Sequence, residues 1–426
     1  MRRRPDSAGQ STPSARPARL DSTAHLNAGS GLAMAAYLHE VARRLVAFDT
    51  VSAKSNAAAA GYLADALAGH GFRVVCHEYE TGGVAKVNVV ATLGPPVAGG
   101  LIVSGHIDVV PFAGQVGWTR DPLALTIDDT RVWGRGTSDM KGFLAQCLAA
   151  AAEIDGAALR RPLAFVFTAD EEIGCDGARR LMPELPALLG DVPQPELAWI
   201  GEPTAWRVFH THKGIVSFTV TAHGIAGHSS IPERGQNAIA VMARAIACIS
   251  AYQAELRAAA PPPAAVDFPE CPYVPLNFGT VHGGTANNMI ADRCTLSISY
   301  RPLPDADPRE VHREIVRRLA AADLRDAGAP GVPARVEVGA PEVVAGLRSP
   351  RGTALEIALL ATVGGDPSGG APFATDGGEL ERGGITSVIC GPGELAQAHQ
   401  PNESLPRAAF EEGVRVIQTT VGRLCA

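Results

Sequence analysis

Histidines and carboxylates stand at five places in this chain where their types and surroundings could bind metal ions. They supply two histidines, His106 and His399, and several acidic side chains, without any cysteine. Nitrogen and carboxylate ligands without thiolate are typical of hydrolytic zinc or cobalt pairs, whereas structural zinc sites are usually rich in cysteine. The residue types therefore predict a site for two divalent cations, Zn²⁺ or Co²⁺, with a further carboxylate as general base. The five stretches are residues 104–108, 136–139, 170–172, 201–203 and 398–400.

The first two stretches place one histidine and two aspartates near turns. His106 and Asp108 are two residues apart at the end of a short apolar run, so in a strand their side chains leave on the same side. The Asp108 carboxylate could then accept a hydrogen bond from the second ring nitrogen of His106 and fix its tautomer. Asp139 follows a glycine-rich turn, where a carboxylate could bridge two cations. The simpler alternatives are a chance pairing of His106 with Asp108 and a helix N-cap role for Asp139.

The other three stretches add glutamates and the second histidine. Glu171 and Glu172 follow an apolar run, and adjacent side chains point in different directions, so one can bind metal while the other activates water. Three consecutive acids repel one another unless something positive lies among them, and a solvated acidic turn is the alternative. Glu202 lies at the end of another apolar run, residues 197–200. His399 follows a tight turn after the last apolar run, residues 387–390.

These residues lie at the ends of elements that the hydrophobic pattern predicts. Continuously apolar runs at 101–103, 163–168, 197–200 and 387–390 are typical of strands buried on both faces, and helical patterns separate them. This alternation predicts an α/β fold with a mostly parallel sheet, in which ligands bind at the carboxyl ends of the strands.

The pattern changes between residues 213 and 340, where the predicted order is β-α-β-β-α-β. That order indicates an inserted α+β domain of ferredoxin-like type. We therefore predict a disordered tail at residues 1–33, a catalytic metal-binding domain formed by residues 34–212 and 341–426, and an inserted domain at residues 213–340.

Composition restricts the class of partner. The chain has 37 Lys and Arg against 44 Asp and Glu, a net charge of −7, which argues against nucleic acid or an anionic membrane as the main partner. Its eight cysteines are scattered, without any Cys-x-x-Cys pair, as expected for reduced thiols in the cytoplasm. Residues 1–33 have no apolar segment typical of a secretory signal, and no uninterrupted apolar run reaches the length of about 18 residues that a membrane span needs.

Longer stretches around these side chains resemble the M20 family of metallopeptidases and deacylases, and within it the acetylornithine deacetylase branch. The resemblance begins near Tyr37 and implies a catalytic α/β core with an inserted lid through which two subunits pair. It implies that Glu171 is the general base and that Asp108 lies behind His106. One cation would be held by His106, Asp139 and Glu202, and the other by Asp139, Glu172 and His399. The matching stretches are residues 118–122, 139–143, 212–214, 301–304 and 391–401.

The resemblance also assigns roles to the lid. Residues 226–230 match the family's Gly-His-Ser-Ser, which implies that His228 reaches into the partner subunit's site and steadies the oxyanion. Asn287, Asn288 and Arg301 match positions that bind the substrate carboxylate, a task that suits a planar guanidinium.

The resemblance implies a small N-acylated amino acid as substrate, with N2-acetyl-L-ornithine in first place. Thr375 and Asp376 depart from the usual sequence of the branch and come closer to that of succinyl-diaminopimelate desuccinylases, at a place where a substrate side chain would rest. Desuccinylation, broader N-acyl-amino-acid hydrolysis and carboxypeptidase action therefore stay open. So does a dimer without catalytic activity that binds amino-acid derivatives.

Overall fold

The computed structural model describes residues 31–329, 331–365 and 369–426. Most of the predicted tail, residues 1–30, lies outside this part, and the first helix already begins at Gly31. The helices are α1 (Gly31–Ala47), α2 (Ala57–Gly69), α3 (Lys141–Ala151), α4 (Asp176–Leu181), α5 (Leu185–Leu188), α6 (Ala238–Ala258), α7 (Glu310–Ala321), α8 (Ala354–Val363), α9 (Gly377–Arg382) and α10 (Arg407–Cys425). The strands are β1 (Arg73–Thr81), β2 (Val84–Leu93), β3 (Leu101–His106), β4 (Thr126–Ile127), β5 (Arg131–Trp133), β6 (Leu163–Thr168), β7 (Leu197–Ile200), β8 (Thr211–His212), β9 (Ile215–His223), β10 (Gly227–His228), β11 (Leu276–Gly283), β12 (Met289–Ile290), β13 (Arg293–Tyr300), β14 (Arg335–Val338), β15 (Glu342–Val344), β16 (Leu347–Arg348), β17 (Gly370–Ala371), β18 (Thr386–Ile389) and β19 (Ser404–Pro406).

Six strands form the central sheet, in the order β1-β2-β6-β3-β7-β18. The four strands β6, β3, β7 and β18 run parallel, and the pair β1-β2 adds an antiparallel edge. β3 and β6 are buried along their whole length, as their continuous apolar sequences predict. The predicted α/β class with a mostly parallel sheet is therefore confirmed.

Helices cover both faces of this sheet because successive strand residues point to opposite sides. On one face Val103 and Phe165 pack in a cluster with residues of α1, α2, α3, α8 and α10. On the other face Ile102 and Val166 pack with α4, α5 and α9. This part of the molecule is thus three layers thick, and its parallel strands end together at one edge.

The inserted segment builds its own antiparallel sheet, β11-β13-β9-β14, with a separate hydrophobic core. Residues of β9 alternate between buried and less buried positions, and α6 and α7 contribute to the core on the buried face. Along the chain, the strands of this sheet and the helices that pack on it follow in the order β9, α6, β11, β13, α7 and β14, as predicted from the sequence. β15 also pairs with β9, beyond the predicted boundary at residue 340, and the boundaries themselves stay predictions.

Helices α6 and α7 begin differently, because only α6 has a side-chain cap. The Asn237 side chain accepts a hydrogen bond from the backbone N–H of Ile239 and so caps α6. Before α7, the Asp307 carboxylate accepts from the N–H of Arg309, and the helix begins at Glu310 without a side-chain cap. Within the described ranges α6 is the one helix long and apolar enough to span a membrane, and it packs on the inserted sheet.

Candidate metal centre

Three predicted site residues, two metal ligands and the general base, meet because they follow neighbouring parallel strands. His106 is the last residue of β3 and pairs in register with Thr168, the last residue of β6, three residues before Glu171. Glu202 comes two residues after β7, which flanks β3 on its other side. The carboxyl ends of adjacent parallel strands share one edge, so these side chains gather there.

Asp139 lies between the two histidines and faces each with a different oxygen. Its Oδ1 is 3.0 Å from Nε2 of His106, and its Oδ2 is 3.2 Å from Nε2 of His399. Nε2 of His399 is also 3.0 Å from Oε2 of Glu172, and Nε2 of His106 is 3.9 Å from Oε1 of Glu202. The contacts thus form two groups that share Asp139, each with one histidine and one glutamate.

The two groups differ in their access to solvent. The His106 side chain is 1% exposed, whereas the His399 side chain is 52% exposed. Within the second group, Oε1 of Glu172 is buried and has no hydrogen-bond partner among the described residues. A buried carboxylate oxygen without a partner is costly, and a cation at this point would satisfy it.

Potential ligand atoms lie close enough for metal binding. One oxygen or nitrogen each of His106, Asp139 and Glu172 lie within 4.8 Å of one another, and the same holds for His106, Glu171 and Glu202. All are nitrogen or oxygen donors, the set that hard or borderline divalent cations accept. The residues therefore fit the predicted ions.

The pKa values of this cluster report an excess of buried negative charge. Burial raises the pKa of Glu171 and Glu202 well above the usual range, and the charge of the other acids adds to the effect. Burial alone would lower the pKa of His106, but its hydrogen bond to Asp139 and the charge of Glu202 raise it well above the usual value. Hydrogen bonds to Asp139 and Glu172 raise the pKa of His399 to about 10. Such a cluster attracts positive charge, whether protons or metal ions.

A buried ion pair that sequence reasoning did not assign holds Asp139 in place. Glu403 accepts hydrogen bonds from the backbone N–H groups of Ser138 and Asp139, both at 2.9 Å. Its other oxygen accepts from Nη1 of Arg135 at 2.7 Å, and both side chains are 1% exposed. The only local signals were an arginine inside the glycine-rich turn and a glutamate soon after His399.

Asp108 forms hydrogen bonds both to the Glu171–Glu172 turn and to His106. Its Oδ1 and Oδ2 accept from the backbone N–H groups of Glu171 and Glu172 at 3.1 and 3.3 Å. Nδ1 of His106 lies 2.9 Å from the backbone oxygen of Asp108 but 3.7 Å from its carboxylate. The backbone oxygen of Asp108, rather than its side chain, therefore accepts the Nδ1 hydrogen and leaves Nε2 of His106 free to bind metal.

Among the described residues, the groups that could hold a metal ion include none of the predicted lid residues. His228 is exposed, and its Nδ1 accepts from the backbone N–H of Ser230 at 3.2 Å, so in the neutral ring Nε2 carries the hydrogen. Asn287 and Asn288 are exposed as well. Arg301 is half-buried and forms no salt bridge within the described residues, and burial lowers its pKa. In this single chain the structure does not bring these four residues to the metal ligands.

Thr375 and Asp376 lie beneath the site, in the turn before α9. The Thr375 side chain is wholly buried, and its backbone N–H donates to Nε2 of His212 at 3.3 Å. Asp376 is 3% exposed and accepts from Oγ1 of Thr168 at 2.5 Å, but its Oδ1 has no partner among the described residues. Both residues thus have internal partners that their sequence position did not reveal.

Residues 102–423 match the model of the peptidase family M20/M25/M40. This match covers most of the chain, including the ends of β3, β6 and β7 at which the site residues lie. The chain belongs to this family. The predicted resemblance is therefore confirmed.

Curated relatives of the M20 family cover nearly the whole chain. Acetylornithine deacetylase of Proteus mirabilis is 34% identical over 91% of this chain and 96% of its own length. Acetylornithine deacetylase of Salmonella paratyphi B is 35% identical over 91% of this chain and 97% of its own. Family and relatives together make this chain a hydrolase that acts on amide bonds, as predicted.

Two solved structures of peptidases share its fold. An M20 family metallo-carboxypeptidase from Sulfolobus solfataricus superposes with a TM-score of 0.73 at 17% identity, over 91% of this chain and 98% of that one. A dipeptidase from Saccharomyces cerevisiae superposes with a TM-score of 0.71 at 16% identity, over 92% of this chain and 96% of that one.

Proposed function

We propose that this M20 hydrolase removes the acyl group from an N-acylated amino acid, with N2-acetyl-L-ornithine as its preferred substrate. Water and the amide then give acetate and L-ornithine, a step that would serve arginine biosynthesis. The observation that carries the hydrolytic part is Asp139, whose two oxygens face His106 and His399 separately. The acetyl-ornithine part rests on relatives of that name at 34% and 35% identity along almost their whole length.

Two divalent cations per chain, Zn²⁺ with Co²⁺ as a substitute, are proposed as the cofactors. His106, Asp139 and Glu202 would hold one, and Asp139, Glu172 and His399 would hold the other. When bound, such a pair lowers the pKa of water and polarises the substrate carbonyl. The donor set without cysteine and the unpartnered Oε1 of Glu172 support this assignment.

Glu171 is the proposed general base. Its carboxylate takes a proton from the attacking water and returns that proton to the nitrogen of the leaving amine. Support comes from its position within 4.8 Å of His106 and Glu202, and from burial, which raises its pKa and so favours proton uptake. Asp108 would keep this carboxylate in place through the backbone of the turn.

His228 is proposed to act across a homodimer, donating from Nε2 to the oxygen of the tetrahedral intermediate in the partner's site. Its exposed ring and its Nδ1 bond to Ser230 leave that donor free. Residues 213–340 would then be the lid and dimerisation domain, and residues 34–212 with 341–426 the catalytic domain. The exposed apolar side chains Ile225, Val281 and Met289 on the inserted domain support pairing through this surface.

Arg301 is proposed to bind the substrate carboxylate, helped by Asn287 and Asn288. A half-buried guanidinium without an acidic partner among the described residues is suited to an incoming carboxylate. Thr375 and Asp376 would form the base of the pocket that holds the substrate side chain. Eight free cysteines without a disulfide support a cytoplasmic location for the enzyme.

A substrate panel tests this proposal. Amine release is measured from N-acetyl-L-ornithine, N-succinyl-diaminopimelate and N-acetyl-methionine with zinc- or cobalt-loaded protein. We expect the highest kcat/KM for N-acetyl-L-ornithine. A preference for the succinyl substrate, which the Thr375–Asp376 sequence favours, would replace the proposed substrate, and equal rates on all three would indicate a broad acyl-amino-acid hydrolase.

A further inference from the structure

A single buried lysine on β2 connects the segments that carry Glu171 and Asp108. Nζ of Lys86 lies 2.6 Å from Oδ1 of Asp170, and the two side chains are 1% and 0% exposed. The same ammonium donates to the backbone oxygens of Ser52 at 2.5 Å and Lys54 at 2.9 Å. Its three hydrogens are therefore all used, and each bond reaches a different residue.

Asp170 needs such support because its backbone is in an uncommon conformation. Its φ is +57°, in the left-handed region that residues other than glycine enter at a cost. This turn directly precedes Glu171 and Glu172 and sets the direction in which each points. Besides Lys86, the Asp170 side chain accepts a hydrogen bond from the Tyr79 hydroxyl at 3.0 Å. Both of its oxygens are thus held by residues of the antiparallel edge β1-β2.

Ser52 carries the second connection to the site. Its hydroxyl donates to Oδ2 of Asp108 at 2.7 Å, while its backbone oxygen accepts from Lys86. The Asp108 carboxylate in turn accepts the backbone N–H groups of Glu171 and Glu172. Lys86 therefore reaches the two glutamates by two routes, one through Asp170 and one through Ser52 and Asp108.

We propose that Lys86 is a positioning residue of the hydrolytic reaction, which fixes the turn so that Glu171 faces the attacking water while Glu172 faces a cation. This inference rests on the proposed roles of those two glutamates. Lys86 touches neither of them, and it supplies the positive charge that three consecutive acids require. A displacement of about 1 Å in a catalytic group can cost about 100-fold in rate, so the expected effect is large.

The decisive variant replaces both partners of the buried pair. Lys86→Met alone would leave Asp170 buried without its cation and could prevent folding. The double variant Lys86→Met/Asp170→Asn removes both charges and keeps the volume. We expect it to fold with a Tm close to that of the native protein, to lose about 100-fold in kcat, and to keep KM within about threefold. A folded double variant with native kcat would overturn the inference, because the pair would then serve stability alone.

Two milder variants keep the inference testable if the double variant does not fold. Tyr79→Phe and Ser52→Ala each remove one hydroxyl from one route, and each is expected to lower kcat without changing KM. The matched control is Gln146→Met, which removes two hydrogen bonds of a buried side chain to α10, at the backbone oxygens of Ala409 and Phe410, away from the turn. We expect the control to lose stability and keep its kcat. If Tyr79→Phe and Ser52→Ala match the control in kcat, Lys86 has no positioning role.

A direct binding measurement separates this inference from the proposed substrate. Zn²⁺ titration of metal-free protein by calorimetry needs no substrate, and misplacement of Glu172 should weaken one of the two Zn²⁺ affinities in the double variant. Kinetic comparisons use whichever amide the native protein hydrolyses fastest. If that amide is not N-acetyl-L-ornithine, the proposed substrate fails while the Lys86 comparison stands. If both Zn²⁺ affinities and kcat match the native values, the inference about Lys86 fails.

Discussion

Nε2 of His399 lies 3.2 Å from Oδ2 of Asp139, although one residue follows the last strand of the central sheet and the other precedes α3. The second ligand group is therefore complete only when the C-terminal segment that carries His399 packs against the rest of the catalytic core. His399 is about half exposed, whereas His106 in the first group is buried. The two cation positions should therefore differ in affinity, with the weaker one at His399.

Replacement of His399 should remove one of the two Zn²⁺ ions and leave the other bound. We expect His399→Ala to retain one Zn²⁺ per chain after dialysis, where the native protein retains two, because the His106 group keeps all its side chains. The activity should fall by at least about 100-fold. Metal content by atomic absorption checks this, and two retained ions in His399→Ala would show that His399 is not a ligand.

Replacement of Glu171 should separate metal binding from proton transfer. Glu171→Gln keeps the shape of the side chain but cannot accept the proton of water, so kcat should fall by about 10²- to 10⁴-fold. Both Zn²⁺ ions should remain, since Glu171 is not one of the proposed ligands. Native turnover in this variant would exclude Glu171 as the base.

Mixed dimers test whether His228 acts across the subunit interface. His228→Ala and Glu171→Gln should each be nearly inactive alone. When the two are unfolded, mixed and refolded together, half of the dimers contain one intact site, so about a quarter of native activity should return. No gain on mixing, with mixed dimers verified by mass spectrometry, would rule out a role in trans.

The buried pair of Glu403 and Arg135 should be costly to break. Glu403→Gln leaves Arg135 buried without its counter-ion, which should lower the free energy of unfolding by about 3 kcal/mol. The matched control is Glu40→Gln, whose partners Arg43 and Arg44 are exposed, and it should change stability by less than about 1 kcal/mol. Urea denaturation measures both, and equal effects would mean that the Glu403 pair contributes little.

His212 should make stability depend on pH. Burial lowers its pKa from 6.5 to about 4, and its neutral Nε2 accepts from the Thr375 N–H. As pH falls below 6.5, His212 becomes protonated in the unfolded chain, whereas in the folded chain it stays neutral until about pH 4. The free energy of unfolding therefore decreases between pH 6.5 and 4, by about 3 kcal/mol in total. The free energy of unfolding of His212→Gln should fall less steeply between pH 6.5 and 4. Parallel curves for variant and native protein would contradict this.

Three central site residues could be predicted from the sequence because they follow apolar runs long enough to indicate buried strands. His106, Glu171 and Glu202 could be placed at one sheet edge from that pattern alone. Short elements such as β4, β5 and β19 have only two or three residues, too few to show a period.

Supporting residues were harder to predict because their partners are distant along the chain. Lys86 pairs with Asp170, and Arg135 with Glu403, across segments that no local pattern connects. The Asp108 carboxylate was expected to contact His106, but the carboxylate binds the backbone of the Glu171 turn. That difference depends on a turn geometry that only the folded chain defines.

The measurement that most directly tests the two-cation hydrolase is a zinc titration of activity. Metal-free protein is titrated with Zn²⁺ while ornithine release from N-acetyl-L-ornithine is followed, with Glu171→Gln as the inactive control. We predict no activity without metal and a rise in activity that is complete at two Zn²⁺ per chain. Full activity in the metal-free protein, or no ornithine release at any zinc concentration, would contradict it.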